Sequence, residues 1–258
     1  MVQHFMHSIT MGDRTVIDRA KDAPPDFLPE LERNWKSMDG NAREIAVHML
    51  QRIDTAATAS FLLRVTADSV SHVAAAAARV FERQSHLPSG DSILALIPSR
   101  ESPFVRGKLY LAAGKAPCGL EALRGVAAVE RDPHAALQAQ AAMVRRGGVP
   151  ERLAFFERIR SARADEVLDC SSHLLYVNDK NLAKAMIPWC ASTEGVMRIG
   201  YDGGDDRQAR MCDFAVWNGA QLGLPTNAGT SLVNYDLAHV SRVRTLFSEL
   251  PDPKSELG

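Results

Sequence analysis

The 258-residue chain is 46% hydrophobic and 24% charged, the balance of a folded soluble protein. Thirty Lys and Arg against 31 Asp and Glu leave no basic excess, which disfavours a protein built to hold nucleic acid. No apolar run approaches the roughly 18 residues of a membrane span, and the start, MVQHFMHSITMGDRTVIDR, lacks a signal-peptide pattern, so a cytoplasmic location is expected.

In chain order, residues 1–25 are polar and end in Pro24–Pro25, which predicts an irregular, loosely docked segment. From there a motif recurs: a capping residue, a short gap, a small or β-branched residue, often an arginine, then an Ala- and Leu-rich amphipathic run. It begins at Asp39, Asp68, Ser102, Asp132, Ala164 and Asp205. Its small-residue markers are Ala42, Val73, Val105, Ala135, Val167 and Ala209, at intervals of 31, 32, 30, 32 and 42. Such self-similarity is the signature of stacked repeats. Asp and Ser at the starts predict N-caps, whose side-chain oxygens accept otherwise orphaned backbone N–H groups.

Between these runs lie shorter apolar segments at 55–67, 90–100, 119–130, 150–162 and 180–192, each with helical spacing. Leu153, Phe156 and Ile159 align on one face, as do Leu182, Met186 and Trp189. Breakers at Pro88 to Gly90, Gly114 to Gly119 and Gly147–Gly148 separate the segments. The alanine-rich stretch AAAAARV at 74–80 suits close helix approach. No stretch has sustained period-two alternation, so the fold class is all-α, with at most an extended piece at 196–199. A connector follows Leu224, and 235–250 is an amphipathic helix bearing Leu237, Val240, Val243, Leu246 and Phe247, placed to cap the stack.

The Val105–Arg106, Ala209–Arg210 and Ala42–Arg43 pairs, each after a polar helix start, make the pattern resemble bacterial HEAT repeats. The resemblance covers roughly 28–224; His134–Ala135–Ala136 and Val167–Leu168 depart from it by lacking the arginine. It implies an α-solenoid of about six HEAT-like helix pairs over 26–224, preceded by the irregular 1–25 and followed by a connector and capping helix over 225–258.

Enzymatic chemistry finds little footing. The His-Glu pairs of HEAT-like di-iron hydroxylases are absent. A HEAT-like glycosylase acting on alkylated DNA bases would use Asp213 and Trp217 on one helical face, inside a basic groove that the charge balance does not supply. Cys170 and His173 share a face without a third orienting group. The four cysteines, 118, 170, 190 and 212, have no metal-ligand spacing and read as buried thiols. No cofactor or metal is expected, and no catalytic residues are assigned.

What remains is a surface for another protein. The long fifth interval places an insertion at 201–207, and a long loop among regular repeats is where specificity is expected. The candidate contact residues are therefore Tyr201, Asp202, Asp205, Asp206 and Arg207. Arg43, Arg106 and Arg210 join them, either as contacts or as a ladder of ion pairs between repeats. By analogy with single-domain HEAT-like chains, the expected role is an immunity or inhibitor protein that occludes a toxin or effector. A scaffold or maturation factor for a larger enzyme is the other non-catalytic role.

Overall fold

A computed structural model describes residues 1–81, 84–199, 207–229, 232 and 234–252. The described chain is mostly helical, with one two-stranded hairpin, and divides into two compact units, Met1–Ala142 and Met143–Gly258.

The first unit opens on α1 (Val2–Thr10), which buries Phe5, Met6 and Ile9. This differs from the irregular segment expected over 1–25. Apolar residues at i, i+1 and i+4 make one face of a helix despite polar neighbours, and Phe5 meets Phe27 of α2 (Phe27–Asn34) with ring centroids 5.9 Å apart.

Next come α3 (Gly40–Ile53), α4 (Ala56–Val65), α5 (Ser71–Val80), α6 (Gly90–Leu96), α7 (Pro103–Lys115) and α8 (Leu120–Ala127). The division between the units falls within α9 (Pro133–Arg145). Helix α3 packs on α5 and α5 on α7, while α6 packs on α8. Alanine is what lets α5 sit between two neighbours: Ala74, Ala76, Ala77 and Ala78 are all buried, and their small side chains bring the backbones close.

The markers Ala42, Val73, Val105 and Ala135 each lie in the first turn of α3, α5, α7 and α9, and all four are buried. Caps match the expectation at three of these helices. Asp39 accepts from Ala42 N at 2.8 Å, Ser102 from Val105 N at 3.5 Å and Asp132 from Ala135 N at 2.9 Å. Asp68 is the exception: α5 has Val70 at its N-cap with no side-chain cap, and the Asp68 carboxylate is engaged elsewhere.

The second unit contains α10 (Val149–Ser161), α11 (Val167–Val177), a 3-10 segment at Lys180–Met186 and α12 (Ile187–Cys190). The break before α12 has a local cause. Pro188 has no N–H, so a regular helix continuing from 180 would leave the Lys184 carbonyl without its donor; the Ile187 amide takes it instead in the tighter geometry. Trp189 is fully buried and donates Nε1–H to the Ile159 carbonyl at 2.8 Å, joining α12 to α10.

Strands β1 (Gly195–Ile199) and β2 (Arg207–Arg210) pair antiparallel, with an irregularity between Gly195 and Met197. The reading of Ala209 as a helical marker is corrected here: Ala209 pairs with Met197 on a strand, and α13 (Met211–Gln221) starts two residues later. The final helix, α14 (Leu237–Ser248), packs on α12 and α13 through Val240, Val243 and Phe247. Leu237, expected on the same face, is exposed. No described helix is long and apolar enough to cross a membrane.

Candidate functional site

The arginines singled out from the sequence each bond a carboxylate and a backbone carbonyl near the start of a helix. Arg43, in the first turn of α3, donates from Nη1 to both Asp68 oxygens at 3.0 and 3.2 Å. Its Nε and Nη2 reach back to the Trp35 and Lys36 carbonyls at 3.0 and 3.1 Å. Asp68 in turn accepts from Trp35 Nε1 at 2.8 Å and from Val70 N at 2.9 Å, so one carboxylate joins the loop before α3 to the loop before α5.

The same device recurs at α7. Arg106 forms a two-pronged pair with Glu130, Nε and Nη2 each donating at 2.8 Å, while Nη1 reaches back to the Arg100 and Glu101 carbonyls. Glu130 also accepts from the Arg131 and Asp132 amides at 3.0 Å, ahead of α9. Arg106 holds the Glu130 carboxyl below the ordinary carboxylate range, with the two amides adding to the effect, and Glu130 raises the Arg106 guanidinium.

Arg210 follows a variant of this plan within the second unit. It donates to both oxygens of the fully buried Asp213 at 3.0 and 2.8 Å and to the Tyr235 carbonyl at 2.6 Å. Asp213 completes the link by accepting from Tyr235 N at 2.9 Å, just before α14. A carboxylate so enclosed faces no groove, and Asp213 is therefore placed where no DNA base would reach it.

The loops that these arginines tie together border a row of clefts in the first unit. One of about 670 Å³ is lined by Trp35, Lys36, Arg43, Phe61, Arg64 and Asp68, among others. Trp35 stands edge-on to the buried Phe61, and Arg64 lies 5.4 Å over the Phe61 ring while pairing with Glu32 at 2.6 Å. A second cleft of about 310 Å³ follows, bordered by Asp68, Ser71, Arg100 and Ser102. A third of about 250 Å³ lies against Arg106, Tyr110, Val129 and Glu130. Each of these three clefts sets apolar side chains beside charged ones.

Tyr201, Asp202, Asp205 and Asp206 lie outside the described residues. Arg207 is described only through its backbone, as the first residue of β2. The structure brings Arg43 and Arg106 to the loops of the first unit and places Arg210 in the second unit.

The partners Trp35, Asp68 and Glu130 are not among the residues that the sequence motif singles out as contacts. The signal for them was an acid 25 residues after Arg43 and 24 after Arg106. Cys170 and His173 do not make a nucleophile and base. The thiol is fully buried, burial pushes it up to about 11, and His173 Nδ1 lies 2.6 Å from the Asp169 carbonyl. Among the described residues, no three His, Cys, Asp or Glu side chains gather as metal ligands would.

No family, curated protein or solved structure matches the chain.

Proposed function

We propose that the chain is a non-catalytic, HEAT-like protein-binding module. It uses the loops ahead of α3, α5, α7 and α9 as its contact ridge, and the 201–207 insertion as a second, specificity-bearing contact. The observation that carries this reading is the row of clefts at successive loops, each beside a charged side chain fixed by the neighbouring repeat. Rigid, partly apolar clefts with polar rims suit a partner's side chains because little ordering is left to be lost on binding. In its narrower form the module is an immunity or inhibitor protein that occludes a toxin or effector. A scaffold or maturation role would use the same surface.

The test is co-expression and calorimetry of the purified chain with the products of genes adjacent to its own. The expected result is a stoichiometric complex that silences the partner's activity, weakened at least tenfold by combined Lys36→Glu and Arg64→Glu changes in the 670 Å³ cleft. Failure of every adjacent product to bind would sink the proposal. A complex that binds without inhibiting would select the scaffold role. The glycosylase alternative gains no support, because Asp213 is buried and saturated with hydrogen bonds.

A further inference from the structure

The ladder of arginine–carboxylate pairs in the first unit has one rung of reversed composition. Arg43 and Arg106 each follow the buried marker of their helix, Ala42 and Val105, by one residue; after Val73 of α5 that position holds Ala74. The carboxylates that answer Arg43 and Arg106 are Asp68 and Glu130, each three residues before the start of the next helix, α5 and α9; the position three residues before α7 holds Arg100. The rung beside α5 therefore has its cation on the loop, where its neighbours carry an acid, and no acid on the helix.

Arg100 is held in place without being neutralised. Its Nε donates to Thr66 Oγ1 at 3.2 Å and its Nη1 to Ser99 Oγ at 3.1 Å, both uncharged partners. It forms no ion pair among the described residues. Burial alone holds its guanidinium below the ordinary arginine value, whereas its neighbour Arg106 is raised by Glu130. A partly dehydrated cation hydrogen-bonded to hydroxyls and not to a carboxylate gains when an anion arrives.

Space for that anion lies beside it. Arg100 borders the 310 Å³ cleft together with Ser69, Ser71, Ser99 and Ser102, a rim rich in hydroxyls. Two carboxylates also border this cleft. Asp68 is committed to Arg43, Trp35 and Val70, so its charge is answered within its own rung. Glu101 has an exposed side chain on the rim, with no ion pair to Arg100 among the described residues.

We infer that the cleft at Arg100 is a carboxylate seat, filled by an acidic side chain of an extended peptide segment of the partner, which completes the rung that the chain itself leaves without an acid. This rests on the protein-binding reading and names the chemistry of one contact within it.

The probe is a fluorescein-labelled hexaglutamate peptide titrated into the full-length chain, with inorganic phosphate titrated in parallel. Saturable peptide binding is expected, weakened at least tenfold by Arg100→Gln and changed less than twofold by Arg79→Gln, an exposed arginine on the same unit. Ser71→Glu, at an exposed first-turn position of α5 on the cleft rim, should supply the carboxylate internally. It should abolish peptide binding while raising the thermal midpoint, an outcome that misfolding does not produce.

Equal loss in Arg100→Gln and Arg79→Gln overturns the inference, as does an absence of saturable peptide binding. Phosphate binding at Arg100 without peptide binding overturns the acidic-peptide assignment. A protein partner that binds wild type and Arg100→Gln equally well leaves the binding module standing and removes the seat. Peptide bound at Arg100, with no adjacent gene product bound, keeps the seat and removes the proposed function.

Discussion

Arg106 and Glu130 meet through two parallel hydrogen bonds of 2.8 Å, with the Glu130 side chain only 3% exposed. Removing one partner leaves the other charge desolvated and unanswered, which costs about 3–5 kcal/mol. Glu130→Ala and Arg106→Ala should each lower unfolding stability by that order in urea titrations. The double variant should lose much less than the sum, since only the first change strands a charge. Additive losses would show that the two side chains act independently.

The same pair sets an acid-side dependence. A carboxyl whose folded value lies below its unfolded one, about 4.3 for Glu, adds stability that is fully present above the unfolded value. That stability is lost as pH falls through the folded value. Glu130 is depressed in this sense, first by the Arg106 hydrogen bond. Stability of the wild type should therefore fall more steeply below about pH 4.3 than that of Glu130→Gln, measured by urea midpoints at matched ionic strength. Parallel curves would remove Glu130 as a contributor.

Asp213 is fully buried and receives donors from Arg210 and from the Tyr235 backbone. Asp213→Ala should cost about 3–5 kcal/mol and release the segment ahead of α14. Hydrogen exchange should then show faster exchange at the Tyr235 amide, which loses its acceptor, while amides of α3 to α7 stay protected. Unchanged exchange at Tyr235 would contradict the tie.

Burial pushes the Cys170 and Cys190 thiols up to about 11 and about 12, and Cys118 and Cys212 are buried as well. Since the thiolate is the reactive species, the native protein at pH 8 should be nearly inert to a thiol reagent. All four cysteines should react promptly in denaturant. Rapid native modification of any one of them would refute the packing described for it.

Gly90 opens α6 where its amide meets the Pro117 carbonyl at 3.3 Å, and a β-carbon there would lie 2.3 Å from Cys118 Cβ and 2.7 Å from the Pro117 oxygen. Backbone cannot withdraw as a long side chain would. Gly90→Ala should therefore destabilise by about 1–3 kcal/mol, read as a lowered thermal midpoint; an unchanged midpoint would mean that the loop yields freely.

Much of the helical plan was legible because repetition leaves a periodic mark. Ala42, Val73, Val105 and Ala135 recur in the first turns of α3, α5, α7 and α9, where all four are buried. The ladder was half legible. Arg43 and Arg106 stood out beside the markers, but Asp68 read as a helix cap and Glu130 as the end of a helix; their roles depend on how adjacent loops come together in space. At Ala209 the local motif misled, because pairing with Met197 across an intervening segment overrides a helix-like run of residues. The polar start concealed α1 for a similar reason: its buried face has only a few apolar residues, and Phe27 completes it.

Asp68 accepts hydrogen bonds from an indole 33 residues before it, a guanidinium 25 residues before it and a backbone amide two residues after it. The two distant donors close the stretch from Trp35 to Asp68 into a ring whose length the carboxylate fixes. An added residue inside that ring has to be taken up at a turn, such as the one at Asp54 between α3 and α4, or it parts the carboxylate from its donors. One side chain thereby sets where the sequence between α3 and α5 can change in length.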